Sequence, residues 1–205
     1  MSDRRGHWER VYAATPEDEV SWYQARPVRS PALINASAHG KGAAIIDIGA
    51  GTSRLIEGLL AEGFRDLTAL DISATALDRL RVRLGPAGAA VRFIDADITR
   101  WQPERTWDVW HDRAVFHFLT EPDDQAAYIA ALGKALPPGG TAIIATFALD
   151  GPAKCSGLPV QRYSGETLAA RLGAGFRLLS ESREEHVTPR GAVQKFIYGV
   201  FERLP

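Results

Sequence analysis

The sequence predicts an α/β fold built on a largely parallel sheet, and three features of the chain support this prediction. From residue 43 onward, short apolar runs rich in β-branched residues alternate with segments of helical periodicity, which is typical of strands joined by crossover helices. The first run closes on the glycine-spaced turn Gly49-Ala50-Gly51. The last two runs, 177–187 and 193–203, are too close together for a crossover helix, so we expect an antiparallel hairpin.

The composition is that of one globular domain with ordinary charge balance. The chain has 205 residues, 45% of them hydrophobic and 24% charged, which is enough for a sizeable core. A formal net charge of -1 provides no overall field for a polyanion, so we predict neither nucleic acid nor membrane as a partner. Cys155 is the single cysteine, and the N-terminus lacks the apolar core of a signal peptide. We therefore expect a cytoplasmic protein, as a monomer or small homo-oligomer.

The first forty residues form an extension that belongs to no strand and helix unit. Helical spacing predicts a short helix near its start, and four aromatic side chains stand within sixteen residues: Trp8, Tyr12, Trp22 and Tyr23. So dense an aromatic segment must pack on the rest of the protein. It covers one face of the sheet, or it also forms a lid over the Gly49 turn, and the residues alone leave both interpretations open.

The remaining elements follow in order along the chain. We predict strands at 43–48, 67–72, 91–95, 107–111 and 141–148, ahead of the terminal hairpin. Helices are expected at 32–39, 53–62, 74–84, 123–136 and 164–172, the first of them with Ser30 as N-cap and Pro31 at its first position. Pro137-Pro138-Gly139-Gly140 separates a helix from a strand, because neither proline can continue a helix. The sheet would have seven strands, the last one reversed.

Acidic residues end the first three predicted strands, at the sheet edge where open α/β folds bind ligands. Asp47 can hold the glycine turn or meet a cationic ligand group. Asp71 follows the turn by about 20 residues, where a carboxylate accepts ribose hydroxyls. Asp97 can accept an adenine amine while Ile98 packs on the ring. Arg54 stands where a dinucleotide fold has its third glycine, which argues against an NAD-type oxidoreductase.

These residues resemble the class I S-adenosylmethionine-dependent methyltransferases. The motifs that carry the resemblance are Asp47-Ile48-Gly49-Ala50-Gly51-Thr52-Ser53, Asp71, Asp97-Ile98 and Leu136-Pro137-Pro138-Gly139-Gly140. The resemblance spans about residues 40–205 and implies a Rossmann-like sheet of order 3-2-1-4-5-7-6, with strand 7 antiparallel and helices on both faces. It implies S-adenosylmethionine as cofactor and S-adenosylhomocysteine as product. The cofactor residues it implies in this domain are Asp47, Gly49, Ala50, Gly51, Ser53, Asp71, Ile72, Asp97, Ile98 and His111.

The aromatic extension is similar to the entry segments of two methyltransferase subgroups. These are the thiol, halide and thiopurine methyltransferases and the eukaryotic lysine methyltransferases that act on elongation factor or citrate synthase. The resemblance implies an arm, residues 1–40, that closes over the cofactor of a methyltransferase domain at 41–205. It adds Trp8, Tyr12, Trp22 and Tyr23 as cofactor residues, and Arg26 as a partner for the methionine carboxylate. Aromatic faces also favour a methylsulfonium cation.

The stretch 107–119 should face the transferred methyl group, because it spans the fourth strand and the segment after it. The catalytic candidates there are His111, Asp112 and His117. The substrate candidates are Arg113, Phe116, Arg162 and Tyr163. His117 either acts as a base or is a structural histidine, and Asp112 either takes part in the chemistry or pairs with Arg113 to fix the loop. Cys155 is expected to be unreactive, and we predict no metal site.

The predicted function is methyl transfer from S-adenosylmethionine to a small-molecule nucleophile, with a thiol or another chalcogen as first choice. A protein lysine methyltransferase is the alternative, although the D-K-G-T-L-D stretch of such enzymes is replaced here by 111–117, His-Asp-Arg-Ala-Val-Phe-His. A non-catalytic module that binds the nucleoside cofactor is the candidate from a different class.

Overall fold

The computed structural model describes residues 3–205 and contains one large sheet with helices on both faces. The strands are β1 Ala44–Ile48, β2 Asp66–Asp71, β3 Val91–Asp95, β4 Val109–Arg113, β5 Thr141–Phe147, β6 Lys154–Cys155, β7 Leu158–Pro159, β8 Phe176–Val187 and β9 Val193–Arg203. The α-helices are α1 Arg4–Ala14, α2 Arg29–Ala36, α3 Leu55–Ala61, α4 Ala74–Leu84, α5 Pro122–Ala135 and α6 Gly165–Leu172. Short 3-10 segments lie at Gly85–Ala90 and Phe116–Phe118.

The seven-stranded sheet has the order β3-β2-β1-β4-β5-β9-β8. Strands β1 to β5 pair in parallel, whereas β9 is antiparallel to both β5 and β8. With β8 and β9 as the sixth and seventh strands of this sheet, the predicted order and reversed last strand are confirmed. The two-residue strands β6 and β7 form a separate hairpin after β5, too short for a periodic signal to predict.

Both faces of the central strands are covered, which leaves only the strand ends for function. Ile46 and Ile48 of β1 belong to one core cluster and Ile45 belongs to the other, as the alternation of a strand requires. Every residue of β1 and β5 is buried. Because parallel strands end at the same edge, the groups that follow β1 to β5 meet there.

Two element boundaries differ from the sequence prediction for identifiable reasons. The fourth strand begins at Val109 and not at residue 107, because Trp107 is buried ahead of the strand and its Nε1 donates to Thr68 Oγ1 at 3.0 Å. Ser30 is not an N-cap, since α2 begins at Arg29 and the Ser30 hydroxyl bonds a histidine instead.

The N-terminal extension packs on the domain through polar contacts to α4. Glu9 Oε1 accepts the backbone N–H of Ala74 at 2.7 Å, at the free N-terminal end of that helix. Arg79 Nη1 donates to the Thr15 carbonyl at 3.0 Å. The extension therefore lies against the sheet edge that carries the strand-end acids.

Residues 1 and 2 of the predicted arm lie outside the described residues. Within residues 3–205, no helix combines the length and the apolar character needed to cross a bilayer.

Candidate cofactor and acceptor site

The glycine turn allows two side chains to approach its backbone closely. Gly49 and Gly51 have φ angles of 65° and 51°, a region that strains other residues. A Cβ atom on Gly49 would lie 2.1 Å from Val115 Cγ2, and one on Gly51 would lie 2.3 Å from Tyr12 Oη. The N-terminal extension therefore rests directly on the turn, with the hydroxyl of Tyr12 occupying the space that a side chain at position 51 would need.

Asp71 is tied to the glycine turn through both of its carboxylate oxygens. Oδ2 accepts the Gly51 N–H and Oδ1 accepts the Ser73 N–H, each at 2.8 Å. The residue is 4% exposed, and its burial raises the pKa of the carboxyl from 3.8 to about 6. A carboxylate offers about four acceptor sites, so these backbone contacts do not use all of them. Asp71 also lines the cavity described next, and its ribose role stays a prediction.

A cavity of about 830 Å³ lies over the carboxyl ends of the strands and beneath the N-terminal extension. Eight of the predicted cofactor residues line it: Trp8, Tyr12, Trp22, Gly49, Asp71, Ile72, Asp97 and Ile98. Asp97 Oδ1 accepts from the N–H and the hydroxyl of Thr99, at 3.0 and 2.8 Å, which fixes the carboxylate at the cavity wall.

The aromatic residues of the extension form one packed group over this cavity. The ring centroids of Trp8 and Trp22 lie 5.8 Å apart, and those of Tyr12 and Trp22 lie 5.9 Å apart, both edge to face. Trp8 also meets Phe118 at 5.0 Å. The packing places the extension over the cavity as well as on the protein surface, and its role as a lid stays a prediction.

A second cavity of about 550 Å³ lies on the other side of the glycine turn. The predicted cofactor residues that line it are Trp22, Tyr23, Asp47, Gly49, Ala50, Ser53 and His111. Gly49, Trp22 and Arg113 line both cavities, so an elongated ligand can pass from one to the other over the turn.

Three buried side chains form a hydrogen-bonded row beside the second cavity. Asp47 Oδ1 lies 2.7 Å from Nδ1 of His111, whose Nε2 lies 2.8 Å from Ser30 Oγ. The second oxygen of Asp47, Oδ2, is buried and has no hydrogen-bond partner among the described residues. An unpartnered buried carboxylate oxygen is costly, so it indicates a site for a donor that comes with the ligand.

Residues 45–140 match the family model described as a methyltransferase domain. A structure of the 1,6-didemethyltoxoflavin N1-methyltransferase of Burkholderia thailandensis, with 1,6-didemethyltoxoflavin and S-adenosylhomocysteine bound, is 25% identical to this chain. It covers 86% of this chain and 77% of its own, with a TM-score of 0.68. Residues 45–140 therefore form a methyltransferase domain, as the resemblance to the class I S-adenosylmethionine-dependent methyltransferases predicts.

Other solved structures share the fold of this methyltransferase over nearly its whole length. One, from work on the conversion of a disulfide bond into a thioacetal group during echinomycin biosynthesis, is 23% identical and covers 98% of this chain and 92% of its own, with a TM-score of 0.76. The N-methyltransferase NodS of Bradyrhizobium japonicum WM9, solved with S-adenosylhomocysteine, is 16% identical over 98% and 99%, with a TM-score of 0.74. At these identities the likeness shows the fold alone. No functionally curated protein matches the chain significantly.

The raised pKa of Asp71 predicts a pH dependence for cofactor-site binding. In the predicted ribose role, the hydroxyls would donate to the ionised carboxylate of Asp71. Binding would then require the ionised form, which predominates in the empty site only above a pH of about 6. The affinity for S-adenosylhomocysteine should be constant above pH 7 and should fall by up to ~10-fold per pH unit below about 6. In the empty protein the sign is opposite, because a raised pKa contributes stability below pH 4 that is lost as the pH rises through 6. Calorimetric titration from pH 5 to 8 checks the binding profile, which should be flat for Asp71→Asn.

His117 does not fit the role of catalytic base. It is fully buried and lines neither cavity, and its Nδ1 accepts the Phe147 N–H at 3.2 Å. A neutral imidazole has one acceptor nitrogen, which is therefore occupied, and Nε2 carries the proton. Burial, followed by the charge of Arg113, lowers the pKa of His117 to about 3, so the ring stays neutral. The geometry favours the structural interpretation.

Substitutions at His117 should act on stability and not on methyl transfer. His117→Ala should cost about 2–4 kcal/mol of unfolding free energy, because it opens a cavity and leaves the Phe147 N–H without an acceptor. His117→Asn places an amide oxygen near the position of Nδ1 and should recover part of that loss. Urea unfolding together with kcat/KM checks this, and a large loss of kcat in a stably folded Asn variant would restore the base hypothesis.

Asp112 and His111 also lack the position of a catalytic group. Asp112 is fully buried and accepts the Val115 N–H at 2.8 Å, the Phe116 N–H at 3.0 Å and the Tyr128 hydroxyl at 2.6 Å. It therefore fixes the loop after β4 without pairing with Arg113 and does not line either cavity. Both ring nitrogens of His111 are hydrogen-bonded, Nδ1 to Asp47 and Nε2 to Ser30. His111 lines the second cavity, so its cofactor role stays a prediction, whereas its hydrogen bonds do not fit a catalytic role.

Of the predicted substrate residues, only Arg113 lines a cavity. Phe116 is fully buried in the core, and Tyr163 is 4% exposed, with its hydroxyl accepting from Gln125 at 3.1 Å. Arg162 is exposed and donates to the Gly151 carbonyl at 3.2 Å. Arg26, the predicted carboxylate partner, is exposed and lines neither cavity. Core packing explains the first two errors, since buried aromatic residues give the same sequence pattern as pocket residues.

Arg113 is held at the junction of the two cavities by several elements. Its Nε donates to Tyr198 Oη at 3.0 Å and its Nη1 donates to the Trp22 carbonyl at 3.2 Å. The guanidinium lies 4.6 Å from the ring centre of Phe196, and the nearest carboxylate contact of Nη2 is Glu184 at 3.7 Å. Nη2 has no hydrogen-bond partner among the described residues, which leaves one donor toward the site.

The sequence interpretation missed two residues of β9 that line the first cavity, Gln194 and Phe196. Phe118 and Leu119 also line it and belong to the predicted stretch 107–119, although neither was singled out. Cys155, which was expected to be unreactive, lines the cavity as well. Burial raises the pKa of the Cys155 thiol, in agreement with an unreactive group. A signal for the β9 residues existed in the alternation of Gln194, Phe196 and Tyr198, which places all three on one face of the strand.

Proposed function

We propose that this methyltransferase transfers the methyl group of S-adenosylmethionine to a small-molecule thiol or another chalcogen nucleophile. The observation that carries the proposal is the composition of the acceptor half of the first cavity. We define the acceptor half by six lining residues: Trp22, Arg113, Phe118, Cys155, Gln194 and Phe196. Trp22 belongs to the N-terminal extension, Arg113 and Phe118 to β4 and the 3-10 segment after it, Cys155 to β6, and Gln194 and Phe196 to β9. The acceptor half combines aromatic side chains with one cation. The acids that line the cavity, Asp71 and Asp97, follow β2 and β3 on the opposite side.

The proposed placement of the cofactor follows from the two cavities. The nucleoside occupies the first, with the ribose at Asp71 and the adenine at Asp97 and Ile98. The methionine chain passes over Gly49 into the second, where its ammonium group reaches Asp47 Oδ2. This arrangement leaves the methyl group facing the acceptor half, at the end of β4.

The chemistry suits a nucleophile that needs little help in losing its proton. In an in-line displacement the acceptor lone pair forms the new bond to the methyl carbon while the carbon–sulfonium bond breaks and its electron pair stays on the departing sulfur. A thiol has a pKa near ~8.5, and a neighbouring guanidinium favours the thiolate. Arg113 Nη2 supplies that charge. A lysine amine, with a pKa near ~10.4, would be protonated and would meet the Arg113 guanidinium. The carboxylate nearest to that guanidinium, Glu184, lies 3.7 Å from Nη2 and does not line the cavity, so the acceptor half offers a lysine no acid of its own.

An acceptor panel built on one ring tests the proposal. Thiophenol, phenol, aniline and a lysine peptide are each incubated with enzyme and S-adenosylmethionine, and both S-adenosylhomocysteine and the methylated product are measured by mass spectrometry. Thiophenol should be methylated, with the other acceptors slower by ~100-fold or more, a margin of about 2.7 kcal/mol. Turnover of the amine or the peptide without turnover of the thiol would refute the thiol proposal. Tight cofactor binding with no turnover of any acceptor would favour the non-catalytic module.

We further propose that residues 1–40 act as a lid on the methyltransferase domain of residues 41–205. The edge-to-face packing of Trp22 on Trp8 and Tyr12 supports this role. Trp22→Ala should weaken S-adenosylhomocysteine binding several-fold, because it removes part of the cavity wall. Exposed Val82→Ala on α4 is the control, and an unchanged dissociation constant in the Trp22 variant would return the arm to a packing role. The cytoplasmic location and the monomeric or small homo-oligomeric state stay predictions.

A further inference from the structure

Gln194 presents a buried amide oxygen to the acceptor half and has no role in the methyl transfer described above. The side chain is 8% exposed, and its Oε1 has no hydrogen-bond partner among the described residues. Buried polar atoms in folded proteins are nearly always hydrogen-bonded, and those that are not require a specific explanation. Gln194 is a lining residue of the first cavity, and a polar atom without a partner on such a residue points to a group that arrives with the ligand.

The position of Gln194 on β9 makes it a fixed part of the cavity wall. Gln194, Phe196 and Tyr198 alternate along the strand and leave it on the same face. Phe196 lies under the Arg113 guanidinium, and Tyr198 accepts from Arg113 Nε. The amide is thus carried by the same rigid row that positions the proposed thiolate partner, which is the arrangement expected of a recognition group.

The nearest polar neighbour on the hairpin does not supply the missing donor. His186 of β8 lies directly opposite Gln194, so the two side chains leave the sheet on the same face. Its Nε2 lies 2.8 Å from the Ser21 carbonyl, to which it donates its proton. Burial lowers the pKa of His186, and a neutral imidazole has only this one N–H. The amide oxygen of Gln194 is therefore left for the ligand.

We infer that Gln194 is a specificity-determining residue that selects acceptors with an N–H or O–H donor on their scaffold. The inference rests on the proposed small-molecule acceptor and deepens it. The favoured acceptor is an apolar or aromatic thiol that carries one hydrogen-bond donor away from its sulfur. Analogues without the donor leave the amide oxygen unpaired and are rejected for that reason.

Size-matched thiols measure this selectivity. The three hydroxythiophenol isomers are compared with the three methylthiophenol isomers, since a hydroxyl and a methyl group are similar in volume. In the wild-type protein, one hydroxyl isomer should exceed its methyl counterpart by ~10-fold or more in kcat/KM. The same pairs are titrated calorimetrically into the complex with S-adenosylhomocysteine, so that a preference is measured even without turnover.

Variants at position 194 assign the preference to the amide. Gln194→Met has a similar shape without the amide and should abolish the hydroxyl preference in both measurements, whereas Gln194→Glu keeps an acceptor oxygen and should retain it. Gln161→Met, at an exposed glutamine, is the control. A wild-type protein that does not distinguish the pairs, or a preference that survives in Gln194→Met, would overturn the inference. Absence of thiol turnover with a preserved binding preference would instead count against the thiol proposal alone.

Discussion

Replacing Asp71 by alanine should abolish measurable binding of S-adenosylhomocysteine. The change removes the proposed acceptor of the ribose hydroxyls and also leaves the Gly51 and Ser73 N–H groups without their partners. Hydrogen bonds to a charged acceptor contribute about 1.5–3 kcal/mol each, so the loss of two corresponds to ~100-fold or more in affinity. Isothermal titration calorimetry measures the result directly.

Two further variants separate a lost contact from a lost fold. Asp78→Ala changes an exposed aspartate on α4, with its side chain 69% exposed, and should bind as the wild type does. Asp71→Asn keeps the size of the side chain but can accept only one of the two backbone N–H groups, so it should unfold at a urea concentration between those of the wild type and Asp71→Ala while binding weakly. A folded Asp71→Ala protein with undiminished affinity would remove the ribose role from this residue.

Replacing Asp47 by asparagine should weaken S-adenosylhomocysteine by ~10- to 100-fold while leaving 5′-methylthioadenosine unaffected. S-adenosylhomocysteine carries the amino-acid group and 5′-methylthioadenosine lacks it. Comparing the affinities of the two ligands therefore separates contacts in the second cavity from contacts in the first. The loss is expected because the buried Oδ2 of Asp47 is the proposed acceptor of the ligand ammonium, and charge-assisted hydrogen bonds are the strong ones.

Competition titrations with the two ligands give both dissociation constants on one protein sample. Ser30→Ala is a graded companion, since it removes only the outer member of the row that holds His111 against Asp47 and should weaken S-adenosylhomocysteine less. Equal losses for both ligands in Asp47→Asn would mean that the aspartate maintains the turn and does not contact the amino-acid group.

The sheet and the nucleoside half of the site were predictable because their signals are local. Asp71 ends one predicted strand and Asp97 follows the next, and the parallel arrangement alone brings such residues to one edge. The reversed final strand followed from the short connection before Val193. These features depend on periodicity and loop length, which a single sequence records.

The acceptor half was not predictable to the same extent, because it depends on which side chains of one segment face the cavity. In the stretch from His111 to His117, Arg113 lines the cavity whereas Asp112 and His117 point into the protein. The turn after β4 decides this, with Ala114 at a φ of 76°. Gln194 reaches the site through the pairing of β9 with β5, a contact between residues far apart in sequence.

The Tyr12 hydroxyl packs against the backbone of Gly51, so the position of the extension affects the order in which ligands bind and leave. The extension lies over the cavity proposed for the nucleoside, so under the lid proposal the methyl donor would enter before the arm settles on the turn. The spent donor would leave after the arm departs. Acceptors would then be exchanged on a completed enzyme–donor pair, which makes donor binding the first step of the cycle and donor release the last.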